Sequence, residues 1–260
     1  MSVAIVIPAR YGSSRLPGKP MLPILGTSML ERVWRIAKAT TGSSRIVIST
    51  EDQRIIEHAQ SFGAEAVLTS KDCRNGSERA HATIEAAGIT EEAIINFQGD
   101  AVLTPPWVIQ AMIDEFGKTD GDFDIVTPAT RMSDEAIASL AESKKINPAS
   151  GTTVVFDKNH NALYFSKNIL PFVRAKGHAS TFRHIGLYGY RKASLEKYVD
   201  LPPSPLELTE GLEQLRALEN AMKVRIVIVD YRNRTHASVD ALEDIEIAEK
   251  IIRDEGELVL

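Results

Sequence analysis

Short apolar runs rich in valine and isoleucine recur along the chain: "VAIVI" at 3–7, "RIVIST" at 45–50, "AIINF" at 93–97, "DIVTPA" at 124–129 and "VRIVIVD" at 224–230. Several lack the apolar–polar alternation of a half-exposed strand. Such runs suit strands covered on both faces, as in a parallel sheet. Between them the period changes. "SMLERVWRIAKAT" places Met29, Leu30, Val33, Ile36 and Ala37 on one helical face, and "SERAHATIEAAG" keeps that period until Gly88, a stop signal. Strand, helix, strand, helix predicts a doubly wound, mostly parallel α/β sheet. Ligands of such sheets sit beyond the carboxyl ends of the strands.

The stretch from about 147 to 191 differs. "GTTVVFD", "NALYFS" and "RHIGLYGYR" have the aromatic and β-branched content of strands divided by polar loops, which predicts a small strand-rich insertion. "SPLELTEGLEQLRALENA" (204–221) predicts one helix with Leu208, Leu212, Leu215 and Leu218 as its apolar stripe. "SVDALEDIEIAEKIIRDEG" (238–256) predicts another, opening near a serine and an aspartate. No repeat or long linker divides the chain, so residues 1–260 read as a single domain carrying a lobe at about 147–191.

Composition narrows the class. A length of 260 residues with 43% hydrophobic content supports a substantial core. A net charge of -5 with no long basic run argues against nucleic acid as a partner. The single cysteine, Cys73, excludes an internal disulfide framework, and the histidines show no metal-binding spacing. No stretch approaches the roughly 18 apolar residues of a membrane span. These features point to a cytoplasmic protein with no membrane partner.

Candidate chemistry begins at "PARYGSSRLPGKP" (8–20), directly after the first apolar run. Gly12 and Gly18 enclose five residues, and Pro20 follows Lys19. The Walker phosphate loop needs four residues there and a hydroxyl after the lysine. Arg10, Arg15 and Lys19 nevertheless bring three positive charges, and the glycines and serines leave backbone N–H groups free for oxygens. No G-x-G-x-x-G follows the strand, which argues against a dehydrogenase.

This loop resembles the signature of sugar-activating cytidylyltransferases, and most closely that of the 3-deoxy-manno-octulosonate (Kdo) cytidylyltransferases, or CMP-Kdo synthetases. "NFQGD", "NALYFSK", "RHIGLYGYR", "SPLELTEGLEQLRALENAMK" and "SVDALEDIE" are similar to five further family blocks, in order and over almost the whole chain. The resemblance implies a nucleotide-diphospho-sugar transferase-like fold and the activation of Kdo by CTP. The products are CMP-Kdo and pyrophosphate, made for lipopolysaccharide or capsule. It implies magnesium held by Asp100 and Asp240. Asp240, just before a helix, also reads as that helix's N-cap. Arg10, Arg15 and Lys19 would hold the triphosphate, Lys19 facing the charge on the α-phosphate; with Asp100, Lys19 and Arg15 are the catalytic candidates. Pro8, Ala9, Ser13, Arg74, Ser77 and Gln98 complete the implied nucleotide contacts.

For the acid sugar the candidates are Lys167, His184, Tyr188, Glu210, Glu213 and Gln214. Glu210 and Gln214 are four apart and would share a helix face, which also reads as a solvated face. No residue stands out as a general base. The family also implies a homodimer paired through the strand-rich insertion. The chain departs from the family pattern at Ala101 and Val102, after "QGD", and at Lys167, where the family has arginine. A lysine keeps the charge but loses the two-point grip on a carboxylate. A modified ulosonic acid such as 8-amino-Kdo or a nonulosonate, and a CTP-binding regulator without turnover, are the competing expectations.

Overall fold

The computed structural model describes residues 1–12, 16–118, 121–175, 177–239 and 241–259. Its first elements are β1 (Val3–Pro8), β2 (Pro23–Ile24), β3 (Thr27–Ser28), α1 (Met29–Lys38), β4 (Ser43–Thr50), α2 (Gln53–Ser61), β5 (Glu65–Leu68), α3 (Gly76–Ala86), β6 (Ala93–Asn96) and α4 (Pro106–Gly117). Then follow β7 (Ile125–Arg131), α5 (Asp134–Ile146), β8 (Thr153–Phe156), β9 (Ala162–Ser166), β10 (Phe182–His184) and β11 (Tyr188–Arg191). Last come α6 (Lys192–Asp200), α7 (Pro205–Glu210), α8 (Gln214–Glu219), β12 (Val224–Val229) and α9 (Leu242–Glu255). Two compact units result. Unit 1 comprises Met1–Gly117, Gly189–Val199 and Tyr231–Leu260; unit 2 comprises Lys118–Tyr188 and Asp200–Asp230. Unit 2 therefore takes in much more chain than the strand-rich stretch alone.

In unit 1 the strands run β5-β4-β1-β6 and then β11. β1 pairs in parallel with both β4 and β6, and β4 in parallel with β5. The apolar run of β1 lacks alternation because both its faces are covered: Ala4, Ile5, Val6 and Ile7 are all fully buried. Helix α1 buries the expected face, Met29, Leu30, Val33, Ile36 and Ala37. Each large side chain among them contributes about 1.5–3 kcal/mol over leaving it in water. Ser28 caps this helix by accepting from the Glu31 N–H at 3.2 Å. After β1 the chain builds outward through β4 and β5, then returns to place β6 on the other side of β1. That reversal opens a crevice beyond the carboxyl ends of β1 and β6.

In unit 2, β7 pairs in parallel with β12 and antiparallel with β10, and the antiparallel run continues to β8 and β9. Val126, Ala129, Val154 and Phe165 are fully buried in its core. One expectation is overturned here. The segment 204–221 is two short helices, because Gly211 adopts φ 65° and ends α7. Leu208 is exposed, so the four-leucine stripe does not exist, and Glu210 and Gln214 do not share a helix face. The φ of Gly211 lies in the left-handed region that a side chain disfavours, and the next helix restarts at Gln214.

Candidate active site

The loops after β1 and β6 meet at the crevice because Gly99 has no side chain. A Cβ there would lie 2.8 Å from the Pro8 carbonyl oxygen, inside any tolerable contact. The first loop is anchored from the other side, where the Ala9 N–H donates to the Ser49 carbonyl at 2.8 Å. Between the loops lies a cleft of about 310 Å³, open to solvent. Pro8, Ala9, Arg10, Lys19, Arg74, Gln98 and Asp100 all line it, so most of the implied nucleotide contacts converge there. Ser13, Arg15 and Asp240 lie outside the described residues.

Lys19 and Asp100 form the centre. The Lys19 Nζ donates to Asp100 Oδ2 at 2.8 Å and to the Val239 carbonyl at 2.7 Å. The lysine opens a short 3-10 turn, Lys19–Met21, and Asp100 follows the close-packed Gly99. Arg10 is exposed and forms no ion pair with a described residue. Arg74 is tied to Glu78, its Nε donating at 2.6 Å. Ser77 is buried, and its hydroxyl pairs with the Tyr190 hydroxyl at 3.2 Å. Ala101 and Val102 are buried too, so these departures from the family pattern lie in apolar packing.

Two residues of this site escaped the sequence reading. Glu51 Oε1 accepts the Tyr11 N–H at 2.9 Å and the Gly12 N–H at 3.4 Å. Its other oxygen pairs with Arg79 at 3.1 Å, and Arg79 is itself buried against the cleft. A carboxylate thus holds the start of the cationic loop in place. Glu51 stands just past β4, so a lone acid after a strand was the available signal, and a common one.

In unit 2, Tyr188 donates its hydroxyl to Gln214 Oε1 at 2.9 Å, and both residues are buried. The Gln214 Nε2 is buried and has no partner among the described residues. His184 Nε2 bonds the Thr127 hydroxyl at 2.8 Å, and its ring stands edge-on to Phe165. Glu210 accepts the Ser166 hydroxyl at 2.7 Å and the Lys167 N–H at 2.8 Å. The Lys167 ammonium donates to the Thr152 hydroxyl at 3.2 Å. Burial lowers its pKa below the ordinary lysine value, partly offset by Glu210. Lys144 is lowered likewise, by burial and then by the positive charges of Lys167 and Arg183. Glu213 is half-buried at the start of α8.

A reversal of strand order, a cationic loop after β1 and an aspartate after β6 define a nucleotide-binding α/β protein. The chain belongs to the cytidylyltransferase family, whose model, described as "Cytidylyltransferase", matches residues 4–224. It is 52% identical over 260 residues to a 3-deoxy-manno-octulosonate cytidylyltransferase of Maricaulis maris, with 100% of each chain covered. It is 38% identical to an 8-amino-3,8-dideoxy-manno-octulosonate cytidylyltransferase of Shewanella pealeana, covering 96% of this chain and 98% of that one. A solved structure of a CMP:2-keto-3-deoxy-manno-octonic acid synthetase complexed with CTP superimposes with a TM-score of 0.87. It is 31% identical, with 98% of this chain and 100% of that one covered.

Proposed function

We propose that this chain activates 3-deoxy-manno-octulosonate with CTP, as a CTP-dependent cytidylyltransferase that releases CMP-Kdo and pyrophosphate. The observation that carries this reading is the Lys19–Asp100 pair at the β1/β6 crevice, inside a cleft lined by Arg10, Arg74 and Gln98. In the reaction the anomeric hydroxyl oxygen of the sugar bonds to the α-phosphorus. The bond to the β-phosphate oxygen breaks, pyrophosphate leaves in line, and the hydroxyl proton passes to solvent. Such phosphoryl chemistry asks the protein chiefly for positioning and charge stabilisation. Arg10, Arg15 and Lys19 hold the triphosphate, and Lys19 faces the charge that grows on the α-phosphoryl oxygens. The Glu51–Arg79 pair, with Arg79 buried, keeps the loop in register while the nucleotide binds.

The donor set at Asp100 fits magnesium. A hard divalent ion of this size takes one or two protein carboxylates beside phosphate oxygens and water. No cluster of three acids, histidines or cysteines exists among the described residues, so a cage built of protein alone is not formed by them. One Asp100 oxygen already accepts a hydrogen bond from the positively charged Lys19 ammonium. Asp100, with Asp240, would hold the ion. When bound, magnesium neutralises phosphate charge and lowers the pKa of the attacking hydroxyl.

The sugar is read by unit 2. Gln214 offers its unpaired Nε2, Tyr188 orients that amide, and Lys167 supplies the cation for the carboxylate. The enzyme works as a homodimer in the cytoplasm, for lipopolysaccharide assembly. Support for pairing comes from Leu163, Phe172 and Val173, large apolar side chains left exposed on unit 2. No helix among the described residues is long and apolar enough to cross a membrane.

The test is pyrophosphate release from CTP, magnesium and a panel of acid sugars. Turnover with Kdo is the expected result. Turnover only with the 8-amino sugar or a nonulosonate would reassign the substrate. CTP binding without turnover on any of them would leave a regulator.

A further inference from the structure

Asn96 closes β6 and is fully buried, yet neither side-chain polar atom has a hydrogen-bond partner among the described residues. The rest of β6 is alanine and isoleucine, and a leucine would fill this place without an orphaned amide. Leaving buried polar groups unmet is costly, so each such case needs a cause. The surroundings supply one. A Cβ built on Gly76 would lie 2.9 Å from Gln98 Nε2, 3.0 Å from Gln98 Oε1 and 3.4 Å from Asn96 Nδ2. The two amides thus converge on the first turn of α3, where backbone N–H groups lack acceptors within the helix. Gln98 lines the cleft; Asn96 is wholly covered. The Gln98 side chain makes no hydrogen bond to a described residue either.

We propose that Asn96 is a positioning residue for nucleobase recognition: through one buried water, its amide fixes which end of the Gln98 amide faces the base. This rests on the CTP reading above and adds the device that would make the site select cytosine. A primary amide carries a donor at one end and an acceptor at the other, and a half-turn exchanges them. Cytosine presents an amino donor beside a ring-nitrogen acceptor; uracil presents a carbonyl acceptor beside a ring N–H donor. A glutamine free to flip suits both. A glutamine held one way leaves groups unpaired against the wrong base, which rejects it.

The test is calorimetric titration of CTP and UTP into the whole chain, with melting temperatures measured alongside. The set is wild type, Asn96→Leu, Asn96→Ser, Gln98→Leu and the double variant Asn96→Leu/Gln98→Leu. Asn96→Leu should melt at or above the wild-type temperature, since it removes two orphaned groups, and should lose tenfold or more of the preference for CTP over UTP. Asn96→Ser should lose the preference as well, which covers the case of a leucine that misfolds. With Gln98 already leucine, Asn96→Leu should change the preference no further. An undiminished preference in both Asn96 variants overturns the proposal. So does an equal loss in both Gln98 backgrounds, or a wild type that shows no preference. A wild-type chain that binds neither nucleotide overturns the CTP reading itself.

Discussion

Lys19 and Asp100 carry the strongest residue-level consequences, because each lies where the other's charge is held. Asp100→Asn keeps the shape of the side chain and removes its charge. Turnover should fall on the order of 10²-fold or more, the usual effect of losing one preorganised electrostatic group. Steady-state pyrophosphate release measures this, and a rate within about threefold of wild type would remove Asp100 from the reaction. Lys167 gives a prediction in pH. Its folded pKa is lowered by burial, so the folded state holds that proton less tightly than the unfolded chain does. The resulting penalty is full below the lowered value and disappears as pH rises from there to the ordinary lysine value of 10.5. Stability therefore gains from this group across that alkaline window. The same ammonium is the one assigned to the sugar carboxylate, so the KM for the sugar should climb over the same window while that for CTP does not. Lys167→Arg should abolish the climb in a pH series. Lys19 and Asp100 were legible in the sequence because each follows a strand in a recognisable loop. Glu51 and Arg79 were not. Their roles arise from partners far along the chain, and each reads locally as an ordinary loop or helix residue.

Helices α7 and α8 show what an element owes to its neighbours. Arg216 on α8 donates to Glu207 on α7 through Nε at 2.7 Å and through a second nitrogen at 2.5 Å, and also to the Leu201 carbonyl at 3.2 Å. Both charged groups are largely covered. Removing one partner strands the other, which costs roughly 3–5 kcal/mol for a buried pair. Arg216→Met should lower the unfolding free energy by about that much in urea titrations. A loss under about 1 kcal/mol would mean that the pair is well hydrated. The sequence predicts one helix here because leucines recur at helical spacing. The break at Gly211 was visible only as a glycine among good helix formers, which helices tolerate at about 1 kcal/mol. Period alone could not decide between tolerance and termination. The β1, β4 and β6 strands were easier, since dense runs of valine and isoleucine leave little alternative. β5, four residues of modest burial, left no such trace.

At the scale of the molecule, the fold class was readable from the alternation of strands and helices, whereas the interleaving of the two units was not. Contacts between residues hundreds of positions apart leave no local pattern. The exposed Phe172 gives the prediction at this scale. Phe172→Asp should convert a dimer into a monomer in sedimentation experiments and leave CTP titrations of unit 1 unchanged; a wild-type chain that sediments as a monomer would remove the pairing. Unit 1 also has a property that follows from its threading. Arg32 is clasped by Glu257, the Leu25 N–H by Glu249, and Lys19 by the Val239 carbonyl. During synthesis the early segments leave the ribosome long before these late ones exist. The nascent loop after β1 therefore has its lysine but not its clasp, and the cleft is complete only once residues beyond 238 have emerged and folded back.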